Sequence, residues 1–472
     1  MVEVSFDACV VGGGPAGSAT AMRLAQLGHR VCLVERSRFP RSHVGESLTS
    51  GIWPIFEVLE LGEPLNERFL VPSETLIRWS ETYVERLASD GRTHGLLVDR
   101  GRFDTLLLQA AMRVGVQVFQ PAEVREVSHK RFGWRFQIVT KTDSQSVTAK
   151  FLVDASGRAG FLPHNRKQVS PRTLALCGNL PSERCPKATL VEAIPDGWCW
   201  AAPIPGGVFS TMVFLDRDNL WPLRREKLES TWRSELAKGE LFAALSDLPL
   251  VGRLISCDAT TYFAEDPIRE DLIRVGEAGF ALDPLSSSGV EKAMHGGLVA
   301  ATAVHTMLLR PDRGELCAHF YRERQMETVS SHASWSSDFY RRVERFAELP
   351  FWEKRVRRSE YEHAEQNPFV SSLEGTSLTL TSKVRLSAKA ALVAEACIVG
   401  DEICSRPALS HPSLGRPVAF VEGVELGLLL EMVGWSSDLG RLLLLWSHRV
   451  SPHQALRIAT WLLTKQILEP VS

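Results

Sequence analysis

The run Phe6 to Val11 is short and apolar and ends in Gly12-Gly13-Gly14-Pro15-Ala16-Gly17, after which SATAMRLAQLGH continues with helical spacing. Strand, glycine turn and helix in that order leave few folds open. Gly12, Gly14 and Gly17 hold the GxGxxG positions, which allow a sharp turn, bring backbone N–H groups against a pyrophosphate and let helix pack closely on strand. The bare motif is weak, but a second strand, Arg30 to Val34, ends at Glu35, eighteen residues after Gly17. A carboxylate there can bind both hydroxyls of an adenosine ribose. The expectation is a dinucleotide site in an α/β, Rossmann-like domain, with Pro15, Ala16 and Arg36 as further contacts.

FAD and NAD share this opening, and two later stretches bear on the choice. Phe151 to Arg158, FLVDASGR, reads as a strand and a small-residue turn. Leu272 to Gly289, LIRVGEAGFALDPLSSSG, reads as a strand, an acidic residue (Glu277), an apolar turn, then Asp283-Pro284 opening a Ser/Gly loop into a helix. Glu277 can hold ribityl hydroxyls, and a helix N-terminus aimed at an isoalloxazine would stabilise its reduced, anionic form.

At 472 residues the chain calls for two or three domains. Hydrophobic residues at 44% and charged residues at 23% match soluble globular chains, and a net charge of -2 offers no field for nucleic acid or acidic lipid. Nine scattered cysteines without CxxC spacing read as reduced thiols. The N-terminus carries no basic region ahead of an apolar run, and later runs such as LGRLLLLW are too short to span a bilayer. A cytoplasmic protein without nucleic-acid or membrane partners is the expectation.

Taken together, GGGPAG, Glu35, Gly45-Glu46-Ser47-Leu48, VDRGRFDTLL at 98 to 107, VDASGR, the tryptophans of GWCWAAPIPGG at 197 to 207 and GEAG...DPLSSSG resemble one family. It is the FAD-dependent monooxygenase family of the p-hydroxybenzoate hydroxylase type, in the branch of flavin-dependent halogenases and geranylgeranyl reductase-like enzymes, over about residues 6 to 345. The resemblance implies that Gly12, Gly14, Gly17 and Glu35 hold the ADP half, that Arg100 contacts FAD near its ribityl and pyrophosphate groups, and that Glu277, where the family has Asp, holds the ribityl chain. Asp283, Pro284, Ser287, Ser288, Gly289 and Val290 would line the flavin ring, with Glu46 and Ser47 near it. Two plainer readings stay open: Arg100 pairs with Asp104 one turn on, and Glu46 and Ser47 cap a helix.

Tryptophan halogenases carry WxWxIP beside the flavin, and this chain has Trp198, Trp200 and Pro203 in register with Ala202 in place of the isoleucine. Two positions apart on a strand, both indoles share a face, which suits an active-site wall or plain core. The halogenase lysine, between GES and RxxFD in that family, has no counterpart, since no lysine precedes Lys130. Arg78 is the nearest basic candidate, and arginine does not readily form a haloamine. The resemblance therefore points to oxygen transfer from a flavin C4a-hydroperoxide to an electron-rich aromatic carbon, with NADH or NADPH as reductant, directly or through a flavin reductase. An indole suits this chemistry because it needs no base, and a peptidyl tryptophan in a small protein subunit, as in tryptophylquinone maturation, is the substrate suggested. Halogenation, alkene reduction of the geranylgeranyl type and flavin-based redox sensing are the alternatives. His43, two residues before GES, is the best polar catalytic candidate beside Trp198, Trp200 and Arg78.

The expected partition is an FAD domain from 1–75, 95–165 and 266–345, a β-sheet substrate domain from 76–94 and 166–265, a helical connector at 346–374 and a C-terminal domain at 375–472. Residues 175 to 265 read as strands broken by Gly and Pro, and KRVRR at 354 to 358 reads as a solvated helix face. The C-terminal part reads as apolar and helical, similar at its end to a winged-helix module. With nine Lys/Arg against eight Asp/Glu it suits a protein or peptide partner better than DNA.

Overall fold

The computed structural model describes residues 4–62, 69–80, 83–88, 95–130, 133–220, 225–356, 379–435 and 438–471. Val4–Val11 runs parallel to Val31–Val34 on one side and to Ser144–Asp154 on the other. Gln117–Phe119 and Leu272–Arg274 extend the sheet in parallel, and Ile268–Arg269 ends it antiparallel. Parallel strands carry helices on their faces, which is why VSFDACVV and VCLV are apolar without clean alternation. Helix Pro15–Gln26 packs on Gly289–Leu309, where Thr20 Oγ1 donates to the Gly297 carbonyl at 3.2 Å.

Two glycines are fixed by this packing. Gly12 has φ +113°, and a Cβ there would fall 2.3 Å from the Ala155 carbonyl oxygen. A Cβ on Gly17 would lie 2.0 Å from the Gly12 oxygen, closer than any real contact, so the helix can sit this near the strand only with glycine.

A second sheet has seven strands in the order Val251–Asp258, Thr173–Pro181, Val208–Asp216, Gly197–Ile204, Thr189–Ile194, Glu74–Arg78 and Glu85–Ala88. Its central strands are buried on both faces, and the period of two divides them cleanly. Leu176, Cys199, Ala201, Val213 and Leu215 face helix Leu228–Leu236, whose Trp232 is fully buried against them. Ala175, Cys177, Trp198, Trp200, Met212 and Phe214 face the other way, into a cluster with Trp79, Tyr340, Phe351 and Trp352.

Helices Gly289–Leu309, Gly314–Arg341 and Pro350–Val356 follow. The KRVRR stretch departs from the solvated face expected of it. Arg355 is 5% exposed, lies 3.7 Å over the Phe351 ring and donates to Thr173 Oγ1 at 2.7 Å, while Lys354 pairs with buried Asp216 at 2.7 Å. Aromatic surface and a buried hydroxyl draw Arg355 inward, and charge alone does not reveal this. Residues 357 and 358 lie outside the described residues.

The chain divides into two compact units, one from the described residues of 1–314 and 321–363, the other from those of 315–320 and 364–472. The second has its own core around Leu442, Trp446, Ile458 and Leu462. Ser451 and Gln454 form a capping box at the start of helix Pro452–Thr464, as SPHQ requires, and Leu468–Pro470 follows as a strand. Within the stretch read as helical, Ala391–Val399 and Glu402–Ser410 instead form an antiparallel hairpin turning at Gly400, whose φ is +61°. Among the described residues no helix is long and apolar enough to cross a membrane. Trp232→Ala should destabilise the first unit by about 3–5 kcal/mol in chemical denaturation, because it empties the centre of the sheet's outer core.

Candidate active site

A cavity of about 860 Å³ runs from Gly12 and Glu35 at one end to Trp198, Trp200 and Cys257 at the other, so the glycine turn and the WxW strand share one space. Glu35 is 5% exposed and accepts from Gly13 N–H at 2.8 Å and Ser37 N–H at 2.7 Å, which fixes its carboxylate beside the turn. Helix Pro15–Gln26 starts at Gly14 without a side-chain cap, leaving its first N–H groups for a ligand. Gly14 has open space where a Cβ would go, its nearest neighbour being Arg41 Nη2 at 3.8 Å. Helix Gly289–Leu309 also lacks a side-chain cap, and Ser287 before it is left-handed, with φ +50°.

These features fit an FAD: a carboxylate for ribose, a bare helix start for pyrophosphate, and a second bare helix start further along the same cavity. Gly12, Gly14, Pro15, Ala16, Glu35, Arg36, Glu46, Ser47, Arg100, Glu277, Asp283, Pro284, Ser287, Gly289 and Val290 all line it, as do His43, Trp198 and Trp200. Three expected site residues do not. Gly17 acts by packing, and Ser288 is buried, its hydroxyl 2.8 Å from that of Ser286. Arg78, expected as a catalytic stand-in for lysine, sits on the opposite face of its sheet, bound to Glu192 at 3.2 Å and Glu240 at 2.6 Å. Strand alternation decides this: its neighbour Trp79 takes the cavity-side face and packs edge-on behind Trp198, 6.1 Å between ring centroids.

For Arg100 both readings meet. It lines the cavity, yet its guanidinium is bound by Asp104 at 3.1 Å and by the Val44 carbonyl. Asp104, with no exposure, is shared with Arg41 at 3.3 Å. Glu277 likewise lines the cavity while accepting from Arg158 Nε at 3.1 Å. Arg158, the last residue of VDASGR, was not singled out from the sequence although its motif was.

The two tryptophans differ. Trp198 is stacked on Phe214 at 3.9 Å and 14° and is 2% exposed. Trp200 is 7% exposed and has no ring partner among the described residues. Trp198 is thus wall and core together, and Trp200 offers the freer indole surface.

The polar groups nearest this wall are few. Glu46 is 7% exposed, with Gly45 N–H donating to it at 2.8 Å and Ser210 Oγ at 3.2 Å, and burial raises its pKa above the usual 4.5. Asp283 caps its turn by accepting from Leu285 N–H at 3.0 Å, receives the Tyr340 hydroxyl at 3.1 Å and is also raised by burial. His43 has Nδ1 2.9 Å from the Val44 oxygen, and enclosure followed by the Arg100 charge lowers its pKa, so it is neutral at pH 7. Among the described residues no lysine lines the cavity.

Residues 7–164 match the FAD dependent oxidoreductase family, and in sequence and fold the chain is similar to flavin-dependent halogenases and their relatives. It is 30% identical over 323 residues to tryptophan 2-halogenase of Chondromyces crocatus, covering 63% of this chain and 61% of that protein. The chain thus spans about six tenths of that relative's length. Two solved structures match almost throughout. The flavin-dependent halogenase CmlS superposes with a TM-score of 0.78 at 21% identity, covering 100% of this chain and 96% of its own. The peptidyl tryptophan dihydroxylase QhpG, essential for tryptophylquinone cofactor biogenesis, superposes with a TM-score of 0.74 at 25% identity, covering 98% and 99%.

Gly14→Ala should leave the melting temperature of the cofactor-free protein unchanged and weaken FAD binding by about tenfold, because its methyl enters ligand space only. Gly17→Ala should instead lower the melting temperature of the cofactor-free protein itself. Thermal melts and flavin fluorescence titration separate the two.

Proposed function

We propose that the protein is an FAD-dependent monooxygenase that hydroxylates an electron-rich aromatic ring, an indole, and that the indole belongs to a tryptophan in a peptide or small protein. The observation that carries this reading is the wall itself: Trp200 and Trp198 border a cavity continuous with the dinucleotide groove, and among the described residues no lysine enters it. Bound FAD, once reduced, supplies dioxygen activation. NADH or NADPH, directly or through a flavin reductase, is the proposed electron source.

The chain's own residues would then position and deprotonate. The indole ring of the substrate lies against Trp200, which has surface to offer. Glu46, held by Ser210 and the Gly45 N–H, takes the proton released when the attacked ring carbon becomes aromatic again. The tight aromatic packing behind Trp198 keeps bulk water from that side. Similarity to QhpG over nearly the whole chain supports the peptidyl form of the substrate. Similarity to the tryptophan 2-halogenase favours a second reading, halogenation of the same ring, against which the lysine-free cavity weighs.

With FAD, reductant, oxygen, chloride and an indole-bearing peptide, the expected product is heavier by oxygen; a chlorine isotope pattern would select halogenation, and no product would end the peptidyl reading. Trp200→Ala should abolish most turnover while FAD stays bound. Because Glu46 must be ionised to accept a proton, activity should fall as pH drops through its raised pKa, above 4.5. Glu46→Gln should lower the rate and remove that acidic limb from the pH profile.

A further inference from the structure

The floor of the cavity beside Trp200 is built of sulfur. Across adjacent strands Trp200 is paired with Met212, and Met212 occupies the cavity-side row that continues to Cys177, its own partner on the next strand. One strand further, Cys257 lies two residues from register with Cys177, since Ala175 pairs with Cys257 and Cys177 with Ile255. The two cysteines therefore share a face, and a bulge in this strand pair starts at Cys177. Both line the cavity, Cys177 at 6% exposure and Cys257 half-buried. Each thiol is shifted chiefly by the other, Cys177 upward and Cys257 downward from the ordinary cysteine range, as neighbouring sulfurs on one face would be.

The other cysteine pairs differ in setting. Cys9 and Cys32 are opposed in the parallel sheet with no exposure at all, and Cys397 and Cys404 are opposed in the hairpin of the second unit.

We propose that Cys177 and Cys257 form a peroxide-oxidisable dithiol, a covalent modification site in the cavity floor. The oxidant is hydrogen peroxide, which any oxygen-reducing site releases when reduction is not coupled to oxygen transfer. The Cys257 sulfur attacks one peroxide oxygen and breaks the O–O bond, giving a sulfenic acid and one water. The Cys177 thiol then attacks that sulfur, its proton leaving with the hydroxyl as a second water, so two thiols and one peroxide become a disulfide and two waters. The neighbouring Cys177 draws the Cys257 thiol below its ordinary pKa, which raises its thiolate share and suits it to the first attack. The proposal rests on the cavity and not on which aromatic product the site makes.

The test uses the full chain, with and without FAD, treated with equimolar hydrogen peroxide, alkylated and mapped under non-reducing conditions. The expected result is loss of alkylation at Cys177 and Cys257 together and a linked peptide joining them, before any Cys397 to Cys404 link. Cys177→Ser should leave a sulfenic acid at Cys257 that dimedone traps, and Cys257→Ser should abolish both products while Cys177 remains alkylatable. Cys177 and Cys257 staying reduced while other thiols oxidise would overturn the proposal, as would linkage of either one to a different cysteine. Because the readout is mass and not turnover, it is separate from the hydroxylation assay.

Discussion

A sheet whose two faces are both buried leaves its central strand residues no neutral side. In the central strands of the seven-stranded sheet the buried side chains belong either to the outer core around Trp232 or to the aromatic and sulfur-lined cavity face. A slip of one position would exchange Trp200 for Cys199 or Ala201 and Trp79 for Arg78, turning the site inside out. The register is held on the outer face by Glu192, a carboxylate without exposure that accepts from the Glu240 and Leu241 N–H groups and from Arg78. Its burial is offset by donors from two other segments, so a charged residue in this core acts as a register pin.

The same economy governs the dinucleotide end. Asp104 is enclosed by Arg100 and Arg41, and Glu35 by two backbone N–H groups, so the charges that face the cavity are already oriented before a ligand arrives. Such preorientation lowers the ordering cost of binding. Arg100 shows how a residue serves both ends, since its i,i+4 partner fixes the direction in which its guanidinium meets the cavity.

Much of this was legible in the sequence because it was local. The glycine turn, Glu35, the strands of the second sheet and the SPHQ cap each depend on neighbours within a few residues or on one repeating pattern. The misplacements came from packing between distant segments. Arg78 looked like the basic group near a halogenase-like wall, but the partner that claims it, Glu192, is 114 residues away. Arg355 looked solvated because its aromatic shelf and Thr173 are invisible in KRVRR. Cys177 and Cys257 have no spacing that marks them; they meet only because two antiparallel strands align. In the hairpin at 391–410, where Ala391 to Ala394 are all exposed, the alternation that announces a strand is weak.

The short helix Pro350–Val356 gives the first unit a later end than its motifs suggest. Trp352 has no exposure and hands its indole N–H to the Ile194 and Pro195 carbonyls, while Phe351 meets Tyr340 edge-on. These rings are the backing of the wall that holds Trp198. A fragment cut at residue 345, where the recognisable motifs stop, would keep every cavity-lining residue and still lose the rings packed behind the wall. The smallest portable form of this site therefore includes the helix that looked like a connector.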